Sequence, residues 1–402
     1  MNRRRQILTA IPGFLLLPGM LPRLLRAESH ATTPAAAVST EQATAVPAQS
    51  ELSRLPLLNA EKLAATNADE RVLVLVQLKG GNDSLNTFIP HRDQLYTRLR
   101  PQLHIPVSDQ LPVTPAMAFH PALRPLMPAW EAGEMAIIHN VGYPGPNLSH
   151  FASTDIWHTG QVQKAAHQQG WLHAALDGKH LGGLVLGGGA LMFRGAPAGY
   201  LKIGDAQKFF SGVARMRPWQ LDTVNPLMKI YQENAAMIRV QAAILQTALT
   251  SAPPVDDRFS ADGFGRQVAL AARIIASDFR VRVIKLTLGS FDTHASQPDR
   301  HAGLLTTLAS NLDVLRKELQ RLGRWSEVLV FAYSEFGRRV KENGNLGTDH
   351  GEAASVFMLG ETVAGGEHGQ LQSLENTNKR GNLVWQQDFR DIYAVLGNQW
   401  LV

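Results

Sequence analysis

Acidic residues and histidines recur just past apolar runs along this chain. Asp83 follows the run at 72–76 and the pair Gly80-Gly81, while Asp292 and His294 follow the run that ends at Leu288. Glu335 follows the run that ends at Tyr333, and Asp349-His350 opens the loop leading into 356–359. Carboxylate oxygen and imidazole nitrogen are the usual ligands of a divalent cation. Asp83, Asp292, His294, Glu335, Asp349 and His350 therefore read as a metal site, and mixed oxygen and nitrogen donors admit zinc, manganese or calcium. Each residue taken singly has a plainer use. Asp83 after two glycines could cap a turn, Asp292-Thr293-His294 could start a helix, and Glu335 could pair with an arginine at the surface. Recurrence favours a shared site, because turn capping gives no reason for histidines and carboxylates to appear together after several separate runs. A metal-free alternative is a hydrogen-bonded acid–base network of Asp349, His350 and Glu335.

A second constellation is Pro144-Gly145-Pro146-Asn147-Leu148-Ser149-His150-Phe151. A Pro/Gly-rich loop entering an apolar-periodic run is a helix start, and helix starts bind anions through free backbone N–H groups. Ser149 would face such an anion; its plainer use, and that of Asn147, is to cap the helix. The glycines at 80–81 and 187–189 have neither dinucleotide-loop nor phosphate-loop spacing, so a dinucleotide reading is discarded. With no cysteine in 402 residues, disulfides, thiolate metal sites and cysteine nucleophiles are excluded.

The elements that must position these residues alternate. Strand-length apolar runs lie at 71–78, 135–141, 184–186, 281–288, 328–333 and 356–359, and helical patterns at 121–132, 226–249, 261–278, 301–322 and 388–401. Leu304, Leu305, Leu308, Leu312, Leu315 and Leu319 form the stripe of a helix packed on one side. Strand and helix in succession predict an α/β fold: a mostly parallel central sheet with helices on both faces. Ligands in such sheets sit beyond the carboxyl ends of the strands, where the candidate ligands fall. Residues 195–258 have long helical spacing and read as a helical insertion.

The N-terminus reads as an address. Asn2-Arg3-Arg4-Arg5-Gln6-Ile7-Leu8 precedes an apolar stretch broken by Pro12, Pro18 and Pro22, which suits a twin-arginine export signal over 1–31 better than a membrane span. Residues 32–55, rich in Ala, Thr, Ser and Pro, read as a linker, and 56–402 as a single α/β domain. The expected location is periplasmic or extracellular, with the twin-arginine machinery as export partner and no stable membrane span once the signal is removed. The first 31 residues hold five arginines against one glutamate, so most of the formal +5 charge belongs to them. A near-neutral body offers no footprint for nucleic acid.

Gly80-Gly81-Asn82-Asp83, Ser149-His150-Phe151 with Trp157, Phe291-Asp292-Thr293-His294 followed by Gln297 and His301, Ser334-Glu335-Phe336-Gly337-Arg338, and Gly347-Thr348-Asp349-His350-Gly351 together resemble the bacterial domain-of-unknown-function family 1501. That family is itself similar to the alkaline phosphatase and sulfatase superfamily. The resemblance implies an alkaline-phosphatase-like core and metal-dependent hydrolysis of phosphate or sulfate esters, on a small-molecule or glycan substrate. It implies Asp83 as ligand of one metal and Asp292, His294 and His350 as ligands of another, with His301 as substitute for His294. Glu335 stands where an Asp-His pair is expected, and Phe336 takes the histidine place, where it cannot bind metal. Ser149 matches the nucleophile, with Ser153 and Thr154 as alternates, and Arg338 or Arg339 the anion-binding group. The competing reading is a non-catalytic envelope protein of the same fold that binds a glycan or a partner protein.

Overall fold

The computed structural model describes residues 56–402 apart from 164–166, 177, 179–180, 198, 218–223 and 256–257. The export signal and linker expected at 1–31 and 32–55 fall outside the described residues.

Val72–Leu78 (β1) is an unbroken aliphatic run but for Gln77, and every residue of it is buried, as a strand covered on both faces requires. Phe88–Ile89 (β2), Leu111–Pro112 (β3) and Ala118–Phe119 (β4) make a small separate sheet of order β2-β4-β3. The other strands are Met135–Gly142 (β5), Leu181–Val185 (β6), Tyr200–Lys202 (β7), Val281–Leu288 (β8) and Val328–Tyr333 (β9). They continue with Ala354–Leu359 (β10), Gly366–His368 (β11) and Gln387–Asp388 (β12). With β1 they form a nine-stranded sheet of order β11-β5-β10-β9-β1-β8-β6-β7, with β12 beside β5.

The sheet is parallel except at β10, which runs against both neighbours, β5 and β9. That reversal matters for the site. The carboxyl ends of β1, β8 and β9 share an edge, and the start of β10 lies at the same edge, so Asp349 and His350 reach it from the N-terminal side of their strand.

Alternate side chains of the central strands feed two cores. Val72, Val74 and Val76 meet Ile284, Leu286 and the leucine stripe of the helix Gln297–Arg321, with the helix Gly263–Ala276 beside it. Leu73 and Leu75 meet Val283, Phe331 and the helices His150–Thr159 and Phe389–Val395 on the opposite face. Each such buried leucine contributes about 2 kcal/mol of transfer free energy. The expected helical insertion at 195–258 does contain two helices, Ala206–Ala214 and Pro226–Ser251, but it also carries β7, an edge strand of the main sheet. Among the described residues no helix is long and apolar enough to cross a membrane.

Candidate metal centre

Leu78 and Leu288 are register partners, so the loops after β1 and β8 leave the sheet side by side. Gly80, at φ +123°, lets them touch: a Cβ there would lie 2.4 Å from the backbone nitrogen of Asp292. Its N–H donates to Glu335 Oε1 at 2.8 Å, tying the loop after β9 to the same point. Gly347 plays the same part for the loop before β10, since a Cβ there would lie 2.3 Å from the carbonyl carbon of His294. Ser290 and Ser296, at φ 78° and 48°, bracket Asp292 and His294 in left-handed conformations that L side chains seldom adopt.

Asp292 is the centre of the cluster these loops build. His294 Nε2 lies 3.0 Å and His350 Nε2 3.1 Å from its Oδ1, and His150 Nε2 lies 3.3 Å from its Oδ2. The two nitrogens of His294 and His350 are themselves 2.9 Å apart. Each ring's other nitrogen faces outward to an oxygen that can only accept. His350 Nδ1 donates to the Leu148 carbonyl (2.9 Å), His150 Nδ1 to Glu335 Oε1 (2.9 Å), and His294 Nδ1 faces Asp349 Oδ1 (3.4 Å). Those partners fix the tautomers, so three Nε2 lone pairs converge on a carboxylate. Lone pairs so arranged repel unless a cation or a proton lies among them. Outward Nδ1–H bonds to carboxylate or carbonyl are how proteins hold metal-binding imidazoles. His150, Asp292 and His350 offer ligand atoms all within 4.8 Å of one another, and the donor set suits zinc.

Electrostatics follow the same geometry. The hydrogen bond to Glu335 raises the pKa of His150 against the effect of its burial, helped by the charges of Glu335 and Asp292. Burial lowers that of His350, and the charges of Arg338 and His150 add to this against the Asp292 carboxylate and the Leu148 carbonyl, both of which favour the protonated ring. Burial alone would raise the pKa of Asp292, but the bond donated by Arg338, the close approach of His350 and the charges of Arg338 and His150 hold it well below the carboxylate range.

The structure brings Asp292, His294, His350, Glu335 and Asp349 together and leaves Asp83 out. Asp83 is fully buried, and its Oδ2 accepts from Arg100 Nη1 (2.6 Å) and Gln297 Nε2 (2.6 Å). A guanidinium thus holds the carboxylate expected to hold a metal. Glu335 and Asp349 do not face the centre directly but orient His150 and His294. His301 lies deep, bonded to Asn82 Oδ1 at 2.8 Å, and does not substitute for His294. Phe336 packs against the rings of His150 and His350, with centroids 4.8 and 4.6 Å away.

The anion-binding expectation for Arg338 needs correction. Its side chain is buried, Nε donates to the Gly81 carbonyl (2.7 Å), and Nη1 to that of Thr348 (2.8 Å). Nη2 donates to the carbonyls of Gly80 and Phe291 and to Asp292 Oδ1 (2.7 Å). With every donor engaged, Arg338 braces four loops instead of meeting a ligand. Arg339 is partly exposed, with Nη1 3.9 Å from Asp349 Oδ2.

Ser149 is the exposed N-cap of the helix His150–Thr159, and its hydroxyl makes no capping bond. The residue before it holds His350 and the residue after it is His150. Ser153, an alternate, is buried and donates to the Glu335 carbonyl; the buried Thr154 hydroxyl has no partner among the described residues. His150 itself was visible only as part of the helix-start motif, because one histidine beside a capping serine carries no spacing signal. Arg100, 17 positions beyond Asp83, had none either.

The family described as "Protein of unknown function (DUF1501)" matches residues 206–398, a stretch that takes in Asp292, His294, Glu335, Arg338, Asp349 and His350. The resemblance read from the motifs thus holds over that stretch. No curated protein matches the chain by sequence. Among solved structures it is similar to Ps i-CgsB in complex with k-i-k-neocarrahexaose, at 10% identity and TM-score 0.35, over 82% of this chain and 72% of that one. It is similar to the lipoteichoic acid synthase LtaP from Listeria monocytogenes at 8% identity and TM-score 0.35, over 85% and 75%. The C-terminal periplasmic domain of EcEptC from Escherichia coli, in complex with Zn, matches at 10% identity and TM-score 0.32, over 86% of each chain.

Proposed function

We propose that His150, Asp292, His294 and His350 hold one divalent cation, and that the protein is an exported hydrolase of phosphate or sulfate esters with Ser149 as nucleophile. The observation that carries this reading is the set of three imidazoles whose Nδ1 atoms are tied outward while their Nε2 atoms converge on Asp292. A bound cation there supplies Lewis acidity, lowering the pKa of a nearby hydroxyl and offsetting charge on the ester oxygens.

The chain's own groups do the rest. Ser149 lies in sequence between Leu148, whose carbonyl meets His350, and His150, and this adjacency is why it is assigned as nucleophile. In this reading the first backbone N–H groups of the ten-residue helix His150–Thr159 would receive an ester oxyanion. Glu335 keeps the proton of His150 on Nδ1, and Arg338 holds Asp292 in place. Attack by Ser149 Oγ forms a bond to phosphorus or sulfur as the bond to the alcohol oxygen breaks; water then releases the acid and regenerates the serine.

The test is an assay with aryl phosphates and aryl sulfates across several divalent metals, repeated with Ser149→Ala and Asp292→Ala. Ser149→Ala is expected to abolish turnover and keep cation binding, whereas Asp292→Ala loses both. Activity indifferent to both changes contradicts the assignment. The withdrawal of Asp83 to Arg100 and the ring of Phe336 favour one cation over two. They also support the competing reading of a non-catalytic envelope protein, for which bound metal without turnover would speak.

A further inference from the structure

A second polar centre lies near the same edge, beneath the turn that follows β6. Lys285 on β8 is fully buried, and its Nζ donates to Thr287 Oγ1 (2.9 Å), Gln77 Oε1 (3.1 Å) and the Gly187 carbonyl (3.2 Å). All three acceptors are neutral, and among the described residues the ammonium forms no ion pair. Burial lowers its pKa to about 7, the charges of Lys202 and Lys79 push the same way, and Glu335 opposes them. His158, buried in the last turn of the helix His150–Thr159, feels Lys285 and Lys79 as well. Among the described residues the buried Nε2 atoms of His158 and Gln77 find no partner.

The glycine turn at 187–189 lies over these groups, with the Gln267 and Thr287 side chains packed against it. Gly188 and Gly189 are exposed; a Cβ at Gly188 would lie 2.8 Å from Lys285 Nζ, and one at Gly189 3.7 Å from His158 Cε1. A buried cation without a counter-charge is costly unless something compensates it. Here the turn above the ammonium carries no side chain of its own at 187–189 and lies near the exposed Lys79. We propose that Lys285, Lys79 and His158 around the 187–189 turn form a site for an oxyanion of the phosphate or sulfate type. This rests on the hydrolase reading in one respect: the anion is a second charged group of the ester substrate, which makes that substrate at least doubly anionic.

The experiment titrates chelator-treated protein with inorganic sulfate and with inorganic phosphate at low salt, by calorimetry. Wild type is expected to bind one of them. Lys285→Met is expected to weaken binding about tenfold or more, as loss of a buried positive charge beside the anion does. Lys79→Gln, at an exposed position that does not test folding, is expected to weaken it severalfold. Asp292→Asn, which removes the proposed cation, should leave anion affinity unchanged. No binding by wild type, or equal binding by both lysine variants, overturns the site. A steady-state arm separates the sources of the anion: Lys79→Gln raises KM for esters bearing a second anionic group and leaves KM for singly charged esters unchanged. Equal effects on both ester classes overturn the substrate role, and absence of all turnover alongside retained anion binding overturns the hydrolase reading instead.

Discussion

Asp292 is the residue on which the account turns, and Glu335 the one that shows how it is supported. Fully buried, Glu335 accepts from His150 Nδ1 and from the backbone N–H of Gly80. Glu335→Gln should therefore lower divalent-cation affinity about tenfold to hundredfold, the usual cost of losing an outer partner of a ligating histidine. Titration calorimetry with zinc measures it, and unchanged affinity would remove Glu335 from the site. Arg100→Met addresses Asp83. It leaves a buried carboxylate unpaired and is expected to destabilise the fold by about 3–5 kcal/mol in urea unfolding, whereas Asp83→Asn should leave cation affinity untouched. A cation affinity that falls with Asp83→Asn would return that residue to the metal. Asp292, His294 and His350 were legible because type and position past a strand coincide in them. His150 was not, since only the fold brings a helix start over Asp292, and the demotion of Asp83 depends on an arginine whose position in space no spacing reveals.

At the scale of elements, the loops are fixed by contacts too close for side chains. Gly80→Ala places a Cβ 2.4 Å from the Asp292 nitrogen at a φ of +123°, and is expected to cost about 3 kcal/mol or more and to weaken cation binding as well. Equal thermal stability of the variant would contradict the crossing of the two loops. The helix Gln297–Arg321 makes a pH prediction. Burial of His301, with His120, Arg100 and Arg338 around it and only Asp83 opposing, lowers its pKa from 6.5 to about 4. Between these values the unfolded chain takes up a proton that the folded one refuses, so this contribution is complete above pH 6.5 and is lost as pH falls toward 4. The urea midpoint should decline over that window, and less steeply in His301→Gln; identical slopes would show that His301 is not the group responsible. The long strands were legible as aliphatic runs of five to eight residues, and the helices as leucine stripes. The reversal of β10 was not, because an apolar run carries no direction, and β7, β11 and β12 are too short to show a period.

For the whole molecule, the mostly parallel sheet with helices on both faces was the part most open to sequence reading, since alternation of strand and helix leaves few other ways to bury both faces. It explains why residues from four separate segments, between His150 and His350, arrive at one edge. A ligand that binds only the folded state stabilises it by mass action, by about 2.7 kcal/mol at a hundredfold excess over its Kd. The unfolding midpoint should therefore rise with zinc concentration in wild type and stay flat in Asp292→Asn. The central claim is tested most directly by elemental analysis of protein purified without chelators. The account predicts close to one divalent ion per chain, lost in His350→Ala; an ion-free wild type, or an ion content that survives His350→Ala unchanged, would contradict it.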